Sequence, residues 1–402
     1  MSEINLAPSI NGDFENKPFV SIHQLDLDSI ELLFDEATAM KRIHEKQRGI
    51  NLLPFSQVGA IFYEPSSRTY ESYVAAAQRI GAGVISVTNP QFSSHSKGES
   101  FGDDISTHAV YSEAIVLRHP KSGAALEALQ YSDKPIINAG DGTGEHPSQA
   151  SLDALTIKQK LGGIEGKTIT AVGDLYHGRT VKSLARLAVL YDDVTFNFVA
   201  PEELQMPNSI VAELRNKGAE VNLFTDLEEP LRSTDVLYAL RLQRERLEIP
   251  ENSDIGDVIL NRINKVKEFG TDEQKRLLVP GFEEQVRQMV DEIRLLDAES
   301  RAYKKLYADL YALRYSVPDV KIIQTNTSPT DNPYVITPEL LQLAKENMIL
   351  MHPFPRVGEV DIRCDSDPRA VYKTDQMVNG MYIRMAQLAL IMGKSVRKKE
   401  LI

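Results

Sequence analysis

Residues 58–80 read VGAIFYEPSSRTYESYVAAAQRI. The run VGAIFY (58–63) is apolar without alternation, as a strand covered on both faces requires. Glu64-Pro65-Ser66-Ser67 breaks the run, and a helical pattern occupies 68–80. The same unit recurs along the chain. Strand-like runs follow at GVISV (83–87), EAIVL (113–117), KPIINA (134–139), TITAVGD (168–174), VTFNFVA (194–200), EVNLF (220–224) and DVLYAL (235–240). Helical patterns lie between them at 121–131, 148–161, 179–190 and 208–217, and an amphipathic helix precedes them at 28–47. Continuous apolar strands alternating with helices predict an α/β protein of two parallel sheets, each with helices on both faces. The turn GGIEGK (162–167) separates two groups of four strands. The expected division is 1–150 and 151–402, with a C-terminal helix over about 380–393 packing back on the first part.

The stretch 247–333 breaks this rhythm. A helical insertion is expected over about 249–332, with one long helix over about 281–315. Phe282, Val286, Met289, Ile293, Leu296, Tyr303, Tyr307 and Leu310 fall mostly at steps of three and four, and Glu283–Arg287 and Asp297–Arg301 are opposite charges four apart. Such a helix would be roughly 50 Å long, too long to bury its seam on one compact α/β domain. Part of the seam is therefore expected to pack on another helix, from about 257–267 or from a partner.

The chain has 402 residues, 45 Lys and Arg against 57 Asp and Glu, and a net charge of −12, so a nucleic-acid-binding role is disfavoured. Local arginines can still hold an anion within an acidic surface. One cysteine, Cys364, excludes an internal disulfide framework and a Cys-rich zinc site, and it fits a reducing compartment. No apolar run is long enough to span a membrane, and the polar, mixed-charge start lacks a signal layout. The expected location is cytoplasmic.

Chemistry-bearing residues cluster where strands end, which is where open parallel sheets bind ligands. After the first strand, Ser66, Ser67, Arg68 and Thr69 open a helix. Free N–H groups, hydroxyls and a guanidinium make an anion cradle there, phosphate being the natural ligand, although a plain helix cap uses the same residue types. Arg118 ends the third strand, and His146 follows a Gly-rich turn after the fourth. Both could converge on the same anion. In the second group, Arg179 follows the first strand and Arg241 the fourth. Two forked guanidiniums suit a pair of carboxylates. The turn Met351-His352-Pro353-Phe354-Pro355-Arg356 could present rigid backbone carbonyls or be a structural turn.

Taken in order, these segments resemble the aspartate/ornithine carbamoyltransferase family. The resemblance rests on Glu64-Pro65-Ser66-Ser67-Arg68-Thr69, the Ser93–Ser100 loop with Lys97, Arg118-His119-Pro120, His146-Pro147-Ser148-Gln149, Gly178-Arg179-Thr180, Arg241-Leu242-Gln243 and His352-Pro353-Phe354-Pro355-Arg356. It covers about 25–246 and 334–395. Glu64, the absence of cysteine from the 352–355 turn and the Arg241-x-Gln243 pair favour aspartate over ornithine as acceptor. The resemblance implies transfer of the carbamoyl group of carbamoyl phosphate to the α-amino group of L-aspartate in de novo pyrimidine synthesis. By resemblance, Arg68, Thr69, Lys97, Arg118 and His146 are catalytic. Ser66, Ser67, Arg68, Thr69, Arg118, His146, Gln149, Pro353 and Phe354 bind carbamoyl phosphate. Lys97, Arg179, Arg241 and Gln243 bind aspartate. No metal or organic cofactor is implied. A homotrimer with shared active sites is expected, Lys97 reaching the neighbouring subunit's site. A regulatory subunit or a pathway enzyme is a further partner that the resemblance allows. The competing readings are a carbamoyltransferase for another amine acceptor and a catalytically silent scaffold. Ser67, Tyr70 and Phe354 depart from the family pattern, as does the insertion after Arg246.

Overall fold

A computed structural model describes residues 7–88, 98–241, 260, 263, 267, 282–294 and 334–397. The chain forms two compact units, one of residues 1–242 and 333–402, the other of residues 243–332. The first unit contains two sheets, both entirely parallel. Strands β1 (Gln57–Phe62), β2 (Gly83–Val87), β3 (Ala114–His119) and β4 (Ile136–Asp141) are ordered β2-β1-β3-β4. Strands β5 (Thr168–Val172), β6 (Thr195–Val199), β7 (Glu220–Phe224), β8 (Val236–Ala239) and β9 (Ile349–Met351) are ordered β7-β6-β5-β8-β9. Each order reverses once, between β1 and β3 in the first sheet and between β5 and β8 in the second. A parallel sheet opens a crevice at the carboxyl ends of the strands flanking such a reversal.

Helices follow the strands: α1 (Leu27–Gln47), α2 (Ser67–Arg79), α3 (Phe101–Tyr111), α4 (Ala124–Glu127), α5 (Pro147–Leu161), α6 (Arg179–Ala188), α7 (Asn208–Asn216), α8 (Glu228–Leu231), α9 (Phe282–Arg294), α10 (Pro338–Leu341) and α11 (Met377–Ile391). Helix α5 carries the chain from the first sheet to the second, with Pro147 in its first turn and Gly162 left-handed at its end. Helix α11 is buried on nearly every face from Asn379 to Ile391 and packs against α1, α2 and α5. A helix apolar all round must be covered all round, and α11 fills that central position with Ile383, Met385, Leu388 and Ile391. Its polar residues are only partly paired, since Arg384 Nε and Gln387 Nε2 have no hydrogen-bond partner among the described residues. Arg384 lies over the Tyr73 ring at 5.0 Å, and Tyr73 donates to Gln387 Oε1 at 3.1 Å.

Most expected elements lie within a few residues of their observed bounds. The expected helix over 121–131 is two short turns, Ala124–Glu127 and a 3-10 turn at Ala128–Gln130. Helix α3 is an element that periodicity does not predict. Its sequence FGDDISTHAVY shows little periodicity, yet Ser100 caps it by accepting from the Asp103 N–H at 3.1 Å.

In the second unit, α9 buries Val286 and Val290, and Ile263 is buried as well. Glu283 pairs with Arg287 at 2.7 Å and forms an ion pair with Lys267. The expected continuation of this helix to about 315, including the Asp297–Arg301 pair, lies outside the described residues. No helix among the described residues is long and apolar enough to cross a membrane.

Candidate active site

The reversal of the first sheet places two loops side by side. One leaves β1 and opens α2; the other carries Arg118 out of β3. Ser66 is the N-cap residue of α2, but its side chain makes no cap hydrogen bond. The first-turn N–H groups have no acceptor within the helix, so this end offers donors to an anion. Thr69 is buried, whereas Ser67 and Arg68 are exposed. The Arg68 guanidinium lies 5.6 Å from the centre of the Phe354 ring, which brings the 352–356 turn against the start of α2.

Arg118 is buried, with 7% exposure. It donates through Nη1 to the Ala139 carbonyl at 3.2 Å, and Nη2 lies 3.2 Å from Glu64 Oε2. Its Nε is buried and has no hydrogen-bond partner among the described residues. A buried donor of this kind calls for an acceptor from a ligand. Burial, then the Arg179 cation, pulls the guanidinium down to about 10 against the opposing pull of Glu64. It therefore remains a cation at neutral pH.

The reversal of the second sheet supplies Arg179 after β5 and Arg241 after β8. Arg179 donates to the Gly142 carbonyl at 2.6 Å and approaches Glu64 Oε2 at 3.7 Å. Glu64 thus lies between an arginine of the first sheet and one of the second. Arg241 is half-buried at the end of its strand. Gln243 and Lys97 lie outside the described residues.

Gly140 shows how tightly the groups converge. Its φ is +113°, and a Cβ there would lie 3.0 Å from Arg118 Nη1, 3.2 Å from Arg179 Cζ and 3.2 Å from His146 Cδ2. Two guanidiniums and an imidazole therefore surround one backbone position at the end of β4. His146 is the N-cap residue of α5, with 3% exposure. Its Nδ1 lies 3.3 Å from Ser148 Oγ, and its backbone N–H donates to Ser183 Oγ at 3.1 Å. The tautomer in which Nδ1 accepts from Ser148 carries its ring proton on Nε2, where a carbonyl oxygen could accept it. Burial, then the cations Arg179, Arg118 and Arg384, holds His146 well below the usual histidine range. The imidazole is neutral where the arginines are charged.

Gln149 is half-buried on the first turn of α5. Pro353 and Phe354 sit in a turn that the buried His352 braces from within. The Phe354 N–H donates to His352 Nδ1 at 2.8 Å, so the ring proton lies on Nε2, which donates to Glu359 at 2.6 Å. The Phe354–Pro355 bond is cis, and Phe354 itself has a φ of +56°. Arg356 is tied up with Asp365 and Tyr372 and belongs to the turn's own scaffold. Tyr70 packs its ring edge-on to Phe62, at 5.5 Å between centres. His119 accepts from the Lys121 N–H and packs against Tyr63 and Phe101. Among the described residues, no group of three or more His, Cys, Asp and Glu side chains could hold a metal ion.

Sequence reasoning did not assign Glu64 as the link between Arg118 and Arg179. Its place directly after a strand that ends at a cradle was the available signal.

The chain matches known protein families over most of its length. The profile described as "Aspartate/ornithine carbamoyltransferase, carbamoyl-P binding domain" matches residues 17–159, and the companion "Asp/Orn binding domain" matches 165–275 and 313–391. The aspartate carbamoyltransferase catalytic subunit of Thermoplasma volcanium is 33% identical over 94% of this chain and 99% of its own length. The chain belongs to the aspartate carbamoyltransferase family. Its similarity to aspartate transcarbamoylase from Trypanosoma cruzi, solved in complex with N-(phosphonacetyl)-L-aspartic acid, has a TM-score of 0.71 and 32% identity, covering 98% of this chain and 100% of that one. Multifunctional protein pyr1-3 of Dictyostelium discoideum is 38% identical over 94% of this chain, which spans only 14% of that protein's length. Sequences similar to this chain thus occur both as proteins of nearly the same length and as parts of much longer ones.

Proposed function

We propose that this chain transfers the carbamoyl group of carbamoyl phosphate to the α-amino group of L-aspartate, giving N-carbamoyl-L-aspartate and phosphate, in de novo pyrimidine synthesis. The observation that carries the reading is the convergence of Arg118, Arg179 and His146 around Gly140, where the crevices of both sheets open. Ser66, Ser67, Arg68, Thr69 and Arg118 hold the phosphate. The orphan Nε of Arg118 and the uncapped start of α2 supply donors that match phosphate oxygens. Gln149 and the Pro353–Phe354 backbone orient the carbamoyl NH2. Arg179 and Arg241, with Gln243 and Lys97, hold the two aspartate carboxylates.

The amine attacks the carbamoyl carbon and an oxyanion develops. Thr69, Arg118 and His146 donate to that oxygen, and removing one such donor typically costs about 3–4 kcal/mol of barrier. A neutral His146 suits this role, because it donates a hydrogen bond without being acidic enough to protonate the amine that must attack. The C–O bond to phosphate then breaks and the leaving phosphate can take the proton from nitrogen. Holding both reactants in place supplies much of the rate.

The same reading assigns residues 1–150 to carbamoyl phosphate and 151–402, with the insertion, to aspartate. It includes a homotrimer in which Lys97 completes a neighbour's site, and a cytoplasmic location. A partnership with other enzymes of the pathway is supported by the multifunctional relatives. N-(phosphonacetyl)-L-aspartate joins features of both substrates and is the discriminating probe. Tight binding together with carbamoylation of aspartate is expected. Binding without turnover would point to a silent scaffold, and turnover of another amine to a different acceptor. Arg68→Ala should abolish turnover with the fold intact. For the trimer, inactive Lys97→Ala and Arg68→Ala chains should regain activity when dissociated and reassembled together. Mixed assemblies that recover nothing would refute shared sites.

A further inference from the structure

Asp153 lies one helical turn after Gln149 on α5 and has no solvent exposure. Three side chains donate to it from three elements. The Tyr238 hydroxyl of β8 reaches Oδ2 at 2.7 Å. Gln376 Nε2, from the turn before α11, reaches Oδ1 at 2.7 Å, and Gln149 Nε2 reaches the same oxygen at 2.9 Å. A carboxylate only accepts. Each glutamine must therefore turn its NH2 toward Asp153 and its oxygen away. For Gln376 the result is visible: its oxygen accepts the His352 N–H at 2.8 Å, at the base of the turn bearing Pro353 and Phe354. For Gln149, which is half-buried, the bond to Asp153 engages the NH2 and leaves the side-chain oxygen as the acceptor available to a ligand.

The carbamoyl NH2 is a pure donor and needs acceptors. Either glutamine flipped end for end would present a donor to it or unpair the turn. We propose that Asp153 is a positioning residue for the carbamoyl group, fixing the acceptor face of Gln149 and, through Gln376 and His352, the turn of Pro353 and Phe354. The proposal rests on the functional reading above. It gives the buried carboxylate a task that mere packing would not require. A buried charge is costly, and an apolar residue of similar volume is often no less stable. The nearby Arg384 supplies part of the countercharge. Burial pushes the Asp153 carboxyl up to about 7 against the pull of its three donors. The test is therefore made at about pH 8, where the carboxylate form dominates.

Asp153→Ala is expected to lower kcat/KM for carbamoyl phosphate by about 10- to 100-fold. Inhibition by inorganic phosphate, which lacks the carbamoyl group, should stay within about twofold. Asp153→Asn keeps one oxygen for both glutamines and can turn its NH2 to the Tyr238 oxygen, so it should recover most of the loss. Asp153→Ala combined with Gln149→Ala should lose less than the product of the two single losses, since one acts through the other. Gln376→Leu leaves Asp153 in place and should show the same split between carbamoyl phosphate and phosphate, which keeps the test open if Asp153→Ala does not fold. Parallel loss of phosphate affinity, multiplicative losses, or an Asn variant as impaired as Ala would overturn the proposal. So would unaltered carbamoyl phosphate kinetics in Gln376→Leu. A wild-type protein unable to carbamoylate aspartate would overturn the functional reading and this proposal with it. An active wild type with an unimpaired Asp153→Ala would overturn the proposal alone.

Discussion

Gly140→Ala adds one methyl group, without charge, at the point where the site residues meet. The new Cβ would stand 3.0 Å from Arg118 Nη1, 3.2 Å from Arg179 Cζ and 3.2 Å from His146 Cδ2. All three are closer than ordinary van der Waals contact, so each group must give by a few tenths of an ångström. None has an easy retreat. Arg118 is pinned to the Ala139 carbonyl and Glu64, Arg179 to the Gly142 carbonyl, and His146 to Ser148 and Ser183. Reacting groups tolerate little displacement, and a loss in kcat of at least about tenfold is expected, approaching about a hundredfold if the shifts add. A separate cost arises from the backbone, because an L-residue at positive φ loses about 1–2 kcal/mol. Gly162→Ala isolates that cost. Gly162 also has positive φ, +76°, but a Cβ there would meet nothing within 4 Å. Steady-state kinetics and thermal unfolding of both variants decide the matter. Both should lose stability, and only Gly140→Ala should lose turnover. If Gly140→Ala keeps wild-type kcat while folded, the three groups do not act from the positions described, and Gly140 does not mark the reacting centre.

His146 gives a pH signature. Its folded pKa lies well below the usual value near 6.5, because burial and the neighbouring arginines disfavour the charged ring. The unfolded chain therefore takes up a proton first, so the contribution to stability is complete above about pH 6.5 and is lost progressively as pH falls below it. Unfolding measured from pH 7.5 to 5 should show a shallower decline for His146→Gln, and an unchanged slope would contradict the buried neutral ring. His146→Ala should mainly lower turnover, by roughly 100- to 1,000-fold, with carbamoyl phosphate still bound; near-wild-type turnover would remove it from the oxyanion role. Joining residue 249 to residue 332 through a short Gly/Ser bridge removes most of the second unit. Aspartate affinity should change more than carbamoyl phosphate affinity, because the insertion follows Arg241 and Gln243. Unchanged oligomer mass with unchanged aspartate kinetics would make the second unit a passive decoration.

Helix α3 marks a limit of reading by periodicity. Phe101–Tyr111 mixes polar and β-branched residues and buries only Asp104, Ile105 and Ala109, so its apolar pattern is faint. The capping signal was nonetheless present as Ser100 followed three residues later by Asp103. The expected start of α11 at about 380 missed the turn at Tyr372–Gln376, where the backbone makes a π-type turn that leads directly into the helix. That turn carries Gln376, and no local pattern announces it.

The strands, most helices and the alternation that makes the sheets parallel were settled by the sequence alone, because they depend on neighbours a few residues apart. Backbone hydrogen bonding, apolar period and capping all operate at that range. The cradle at Ser66–Thr69 was legible for the same reason: a strand end, a helix start and a guanidinium stand within one short segment. The order of strands within each sheet was not legible, and it is that order which places Arg118 beside β1 and Arg179 beside β8. Glu64 between Arg118 and Arg179, and Asp153 with Tyr238 and Gln376, join residues far apart in the chain. Such pairings have no local period or cap to betray them. They exist only because burial removes water and obliges each charge and each donor to find a partner across the packed interior.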